Sequence, residues 1–283
     1  MYIGPQPDTA RAGLRLAHVD HLVFGQGGRF HELDYTYFRD LWRLFGLPWD
    51  DTYLTAGRTT FHDMIETVLE RLGPLVQGLD AAVLANATPD AEPGFPMPYI
   101  EHALGGIGTV FAVSDQGAAA TFTALRLAAH TLPPGANGRA LVVVMDQARV
   151  LSGPPMPDDI RPLCDSAVAL VLEGDGRLGV PEISQHVGVP TSEIVGHLSA
   201  AAGQADRVTA ICRPELAPYW AKADVAADLV PVPGGLPCTG PWAALAKYRA
   251  TAQKVQSERV VLADYDARLK YLSVCGFDMG APR

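Results

Sequence analysis

The stretch Val110-Phe-Ala-Val-Ser-Asp-Gln-Gly-Ala-Ala-Ala120 carries the signature on which the rest of the chain is read. Thr109 to Val113 is an apolar run of strand length, Ser114 to Gly117 is a turn, and Ala118 to Thr131 reads as a long helix stopped by Pro133-Pro134-Gly135. A strand that turns tightly into a helix pushes the side chain at its tip out of the sheet. Unpaired N–H groups and the positive end of the helix dipole at that point favour a thiolate or an oxyanion. The small residues after Gly117 let the helix approach the sheet closely. Yet the turn offers no convincing nucleophile. Ser114 has no recognisable Asp-His pair near it in sequence, which argues against a nucleophile there. Asp115 reads as a helix N-cap, with a general base in a reworked site as the alternative.

Outward from this turn, strands and helices alternate. Leu14 to Phe24 reads as a strand and Asp34 to Leu44 as an aromatic-rich helix. Phe61, Met64, Ile65, Val68, Leu69 and Leu72 recur on one face of a helix that opens at Thr60 with a capping box to Asp63 and stops at Gly73-Pro74. Ala81 to Ala85 and Ala140 to Met145 read as buried strands, and Pro98 to Leu104 as a short helix. Ser166 to Glu173 and Arg177 to Ile183 read as a hairpin around Gly174-Asp175-Gly176. The C-terminal third repeats the rhythm: a strand at Val208 to Cys212, a helix-like stretch after Pro214, and a strand at Asp228 to Val232. A helix from Pro241 to about Gln256 follows, then strands at Arg259 to Asp264 and Leu269 to Phe277. Both parts end in helix, strand, turn, strand. This implies an internal repeat of order without identity, and an α/β fold with largely parallel sheets. The halves divide at 1–183 and 184–283.

The totals narrow the function classes. Of 283 residues, 48% are apolar and 19% charged, which fits a packed globular chain. The formal net charge of −9 argues against nucleic acid as a partner and would repel acidic carrier proteins unless a local basic patch receives them. No apolar run has signal-peptide or bilayer-spanning length, so no membrane association and a soluble, cytoplasmic location are expected. Cys164, Cys212, Cys238 and Cys275 are too widely spaced for a zinc-type pair and read as reduced core thiols; no metal site is expected. His18 and His21, three apart on a strand, face opposite ways, and His102 and His197 read as surface or capped residues, the latter in a loop between the halves. Gly25-Gln-Gly27-Gly28 and Gly105-Gly106-Ile-Gly108 lack the flanking strand and helix of a dinucleotide loop.

In the order of its motifs the chain resembles the thiolase superfamily, and its ketosynthase III branch in particular. The resemblance runs from about Leu79 to Phe277. It is carried by Thr88-Pro89-Asp90, Phe95-Pro96, Val113-Ser114-Asp115-Gln116-Gly117-Ala118 against the family's Ser-x-x-Cys-Ala, Ala140 to Met145, and Cys164-Asp165-Ser166-Ala167 against its Asp-Gly-Ala strand. Cys238-Thr239-Gly240-Pro241-Trp242 resembles the Asn-Thr-Gly segment. The resemblance implies a thiolase-like fold of two related βαβα halves in layers α/β/α/β/α. It also implies a Cys/His/Asn site, and there the chain departs: the Cys position falls on Gly117 and the Asn position on Cys238. The His position falls within a residue or two of Cys212, in Ile211-Cys212-Arg213-Pro214. Cys212 and Cys238 thereby stand at positions that the family brings together, either as a new thiol pair or as small side chains filling a vacated site.

These departures, with the overall length, Gly196-His197-Leu198 and the Cys-x-Gly-Pro-aromatic motif, are similar to those of the non-catalytic small subunits of heterodimeric alkylquinolone condensing enzymes. The resemblance implies a silent subunit with no bound cofactor. It would complete the site of a Cys-bearing ketosynthase III-like partner, in a heterodimer or heterotetramer whose substrate is an acyl-CoA or acyl-carrier-protein thioester, in secondary-metabolite biosynthesis. Phe95, with Met97, would wall the partner's pocket, or merely pack its own loop. The strand bearing Thr109, Phe111 and Val113 would pair across the dimer interface. Two alternatives stay open: a homodimeric acyltransferase or thioesterase rebuilt from Ser114, Asp115, Cys212 or Cys238, and a module that binds an acyl ligand or carrier protein without chemistry.

Overall fold

The computed structural model describes residues 14–25, 27–28, 32–46, 49, 57–88, 90, 96–132, 138–148, 160–174, 176, 179–251 and 258–279. Two five-stranded sheets are built from β1 (Arg15–Val23), β2 (Ala81–Asn86), β3 (Thr109–Val113), β4 (Arg139–Asp146) and β5 (Ser166–Glu173), and from β6 (Glu182–His186), β7 (Arg207–Cys212), β8 (Ala226–Pro231), β9 (Glu258–Asp266) and β10 (Tyr271–Met279). Their orders are β1-β5-β4-β2-β3 and β6-β10-β9-β7-β8, the same path walked twice. The helices are α1 (Glu32–Leu44), α2 (Phe61–Leu72), α3 (Pro96–Ala103), α4 (Ala119–Thr131), α5 (Ile194–Ala202), α6 (Ala217–Trp220) and α7 (Gly240–Thr251).

The repeat extends to residue register. Ala85 pairs with Val144 and Val113 in the first sheet; Ile211 pairs with Leu262 and Val230 in the second. Counting from these anchors, Asp146 corresponds to Asp264, Ser166 to Ser273 and Ala87 to Arg213. Selection on which face is apolar preserves this register, because a slip of one residue would exchange the two faces of a strand.

Alternation along the strands sorts the core into layers. Ala81, Val83 and Ala85 face a central core with Val142, Val144, Ile211, Val260 and Leu262, and that core also contains Phe122 and Leu125 of α4 and Trp242 and Leu245 of α7. The intervening residues face outward. Leu84, Leu141 and Val143 pack under α2, and Ala210, Val261 and Ala263 pack beneath α5 and α6. Two helices thus lie between two sheets, with further helices outside, giving the α/β/α/β/α order. The face of α2 is the one its spacing implies, and the Thr60–Asp63 capping box is formed.

Three expectations are corrected. The sheets are mixed, because β1, β5, β6 and β10 make antiparallel pairings at one side of each sheet. The segment after Gly174 does not fold back on β5 as a hairpin. It crosses to the second sheet, where β6 pairs with β10, while the antiparallel partner of β5 on that side is β1. His197 lies on α5 and not in a loop, and its ring stacks on His186 of β6 with centroids 4.0 Å apart. No helix among the described residues is long and apolar enough to cross a membrane.

The histidine pair yields a pH dependence. Burial lowers the pKa of His186 below its ordinary value of 6.5, and the neighbouring His197 lowers it further. As pH falls the unfolded chain is protonated first. His186 therefore costs nothing well above pH 6.5, and the fold loses stability as pH falls from 6.5 through the depressed folded value. In urea titrations repeated down this range, His186→Gln should show a smaller fall in midpoint than the parent.

Candidate active site

The turn before α4 has the elbow geometry. Asp115 and Gly117 both have positive φ, 62° and 54°. A turn in this region favours Gly, and tolerates Asp better than most residues. The amide N–H groups of Ala119 and Ala120 close the first helical turn onto Gln116 O and Gly117 O. Asp115 is not the N-cap. Ala118 occupies that position without a side-chain capping bond, and Asp115 stays exposed, accepting a hydrogen bond from Ser114 Oγ at 3.3 Å. A Cβ placed on Gly117 would meet nothing within 4 Å. The elbow therefore has an open tip.

Facing it is the turn before α7, which the repeat makes the counterpart of the elbow. Cys238 Sγ lies 3.8 Å from Gly117 O and 3.4 Å from Thr121 Oγ1, so the starts of the two central helices meet. Cys238 is fully buried. Burial, reinforced by the charge of Asp146, pushes its thiol far above the ordinary range. Asp146, at the end of β4, holds this turn from the opposite half. Its carboxyl accepts from Cys238 N at 3.1 Å, Thr239 N at 2.8 Å and Thr239 Oγ1 at 2.7 Å. Burial raises the Asp146 pKa, and the hydrogen bonds from Thr239 and Cys238 draw it back down.

The third wall is Arg213 and not Cys212. Ile211 faces the central core, so Cys212 must face away. It packs in the outer core with Leu216 and Trp220, its thiol pushed up to about 12 by burial and then by Asp264 and Glu215. Arg213, the next inward position, bonds through Nε to Asp264 Oδ2 at 2.7 Å and through Nη2 to Leu236 O at 3.2 Å and Pro237 O at 3.0 Å. Burial is the strongest single influence and opposes its charge, but Asp264, Glu215 and Asp146 together outweigh it and raise the Arg213 pKa. Cys212 and Cys238 thus sit in different cores and do not form a thiol pair.

Of the remaining expected residues, Thr109 and Phe111 are half-buried and Val113 is buried. All lie on β3, which among the described residues is an edge strand paired with β2 alone. Met97 is half-buried on α3 and packs toward the outer core under α2. Phe95 lies outside the described residues. The sequence reading does not single out Asp146 or Asp264, and it holds Arg213 and Thr239 only as members of their motifs. A signal existed for the first: an Asp that ends a run of six apolar residues, Ala140 to Met145, is a charge drawn into a core. For Arg213 the signal was parity, two positions after Ile211. Among the described residues no cluster of three or more His, Cys, Asp or Glu could hold a metal.

What this arrangement supplies is an open turn whose tip, Gly117, carries no side chain, facing the buried thiol of Cys238. No family model and no curated protein matches the sequence. Solved structures do match along nearly the whole chain. The acyltransferase ChlB3 shares 17% identity over 95% of this chain and 98% of its own, with a TM-score of 0.63. AbyA1, a tetronic acid condensing enzyme, shares 16% over 94% and 99%, with a TM-score of 0.60. OleA of Xanthomonas campestris, solved as a variant with bound lauric acid and lauroyl-CoA, shares 12% over 94% and 98%, with a TM-score of 0.59. The duplicated five-stranded sheets around two central helices are the thiolase-like fold of condensing enzymes.

Proposed function

We propose that this chain is a catalytically silent ketosynthase III-like subunit. It pairs with a Cys-bearing ketosynthase-like partner and completes that partner's acyl-transfer or condensation site, in secondary-metabolite biosynthesis. The observation that carries this reading is the open elbow: Gly117 stands at its tip with room for a side chain it does not have. Without a thiolate there is no acyl-enzyme, and the replacement of His and Asn by Arg213 and Cys238 removes the groups that would support decarboxylation. The substrate of the complex is an acyl-CoA or acyl-carrier-protein thioester, and no cofactor is needed. The edge strand β3, half-buried and unpaired on its outer side, is the surface that a partner subunit would cover. The similarity to condensing enzymes, one solved with lauroyl-CoA, supports the substrate class.

A rebuilt, independent acyltransferase or thioesterase has less support. Burial raises the pKa of Cys212 and of Cys238, and Ser114 and Asp115 bond to each other on an exposed turn. Incubated alone with acyl-CoA, the protein should remain unmodified by intact mass spectrometry, and with a Cys-bearing partner the acyl group should appear on the partner. Rapid stoichiometric acylation of this chain by itself would overturn the proposal.

A further inference from the structure

A continuous line of hydrogen bonds runs from a half-buried histidine on β1 to the buried carboxyl of Asp146. His21 Nε2 lies 3.0 Å from Ser166 Oγ, Ser166 Oγ lies 3.2 Å from Thr239 Oγ1, and Thr239 Oγ1 lies 2.7 Å from Asp146 Oδ2. The two inner links are hydroxyls, each able to donate and accept at once. Both Ser166 and Thr239 are fully buried, so water does not compete for them. We propose that His21, Ser166, Thr239 and Asp146 form a proton relay that sets the charge of Asp146 from the β1 side, and with it the grip on the Cys238 turn.

The step balances within the four side chains. Imidazolium His21 gives its Nε2 proton to Ser166 Oγ. Ser166 passes its own hydroxyl proton to Thr239 Oγ1, and Thr239 passes its proton to Asp146 Oδ2. Only N–H and O–H bonds change, and an imidazolium and a carboxylate become a neutral imidazole and a neutral acid. Every hydroxyl then points the other way, with Asp146 donating to Thr239 Oγ1. A neutral acid accepts from the Cys238 and Thr239 amides more weakly than a carboxylate does, so the start of α7 is released in part. His21 is recharged from solvent.

The groups around each end fit this exchange. Beside His21 are Asp20 on the same strand and, through the 3.0 Å Asp20–Arg71 ion pair, Arg71 of α2. Facing Asp146 are Arg213, itself tied to Asp264, and the thiols of Cys238 and Cys164, both of which feel its charge. Burial lowers His21, against the charge of Asp20, and raises Asp146, which brings the two ends closer in proton affinity.

The test is a pH-jump infrared experiment on the intact protein. It follows the C=O stretch of the protonated acid, assigned to Asp146 by its loss in Asp146→Asn. On acidification the band should rise fast in the parent protein. It should rise more slowly by on the order of a hundredfold in His21→Gln and in Ser166→Ala, the scale on which a positioned proton-transfer group acts. His21→Gln changes only the half-buried end of the line, so the test stands even if Ser166→Ala does not fold. Protonation of Asp146 at the parent rate in either variant that folds, or no such band on acidification of the parent, would overturn the relay.

Discussion

Asp264→Ala will destabilise the fold by about 3–5 kcal/mol, the cost of leaving a buried charge without its partner. The charge is Arg213, whose side chain is 18% exposed against 7% for Asp264, with Nε and Oδ2 2.7 Å apart. Water reaches neither group well enough to replace the lost bond. The guanidinium also clamps Leu236 O and Pro237 O, so its displacement loosens the chain that leads into Cys238 and α7. The double variant Arg213→Met with Asp264→Leu should recover most of the loss, because removing both charges removes the desolvation cost together with the attraction. Urea midpoints with an unchanged denaturant slope would measure both effects. A loss in Asp264→Ala no larger than that of an exposed ion pair, about 1 kcal/mol or less, would mean that Arg213 does not face inward.

The same residue shows where reading the sequence succeeds and where it stops. The elbow at Ser114–Gly117, the apolar face of α2 and the order of strands and helices were legible, because each rests on local spacing or local turn chemistry. The repeat is legible as an order of elements but not in residue identity, since backbone pairing and apolar alternation keep Asp146 and Asp264 at equivalent positions of the two sheets without demanding similar neighbours. The failures were non-local. Nothing adjacent to Gly174 says that the next strand joins a different sheet, so a hairpin was the natural reading of a strong turn signal. The helix start at Ala118 is legible, but nothing adjacent to Asp115 says that Ala118 itself takes the cap position without a side-chain bond. The resemblance places the histidine position only to within a residue or two of Cys212, because the family's motif is short. The choice between Cys212 and Arg213 depends on which face of β7 meets the central helices, and the flanking pattern of Ala210 outward and Ile211 inward decides it.

Gly117→Cys should yield one thiol that reacts with alkylating reagents faster than Cys212 by a factor on the order of 10⁴. The native thiol, pushed up to about 12 by burial, is ionised at neutral pH to only about one part in 10⁵. A thiol at the tip of the elbow would stand at the start of the 13-residue helix α4, where cysteine pKa values fall to about 7 and a large fraction is thiolate. The added Cβ meets no atom within 4 Å, so space is no obstacle. The cost is conformational: a φ of 54° in a residue with a side chain takes roughly 1–2 kcal/mol from the fold. That leaves a folded protein, and intact-mass labelling kinetics should show a single fast adduct absent from the parent. Reaction no faster than that of the half-buried native Cys164 would mean that the turn does not activate a thiol. If the thiol is activated, exposure to acyl-CoA tests the proposed silence of the chain in two parts. Acylation of the variant would show that loss of the nucleophile alone silenced thioester exchange. A reactive thiol that stays free of acyl groups would show that Arg213 and Cys238 have also removed what is needed to stabilise the oxyanion or admit the thioester. In both cases the open tip at Gly117 is the point at which the frame and the chemistry part.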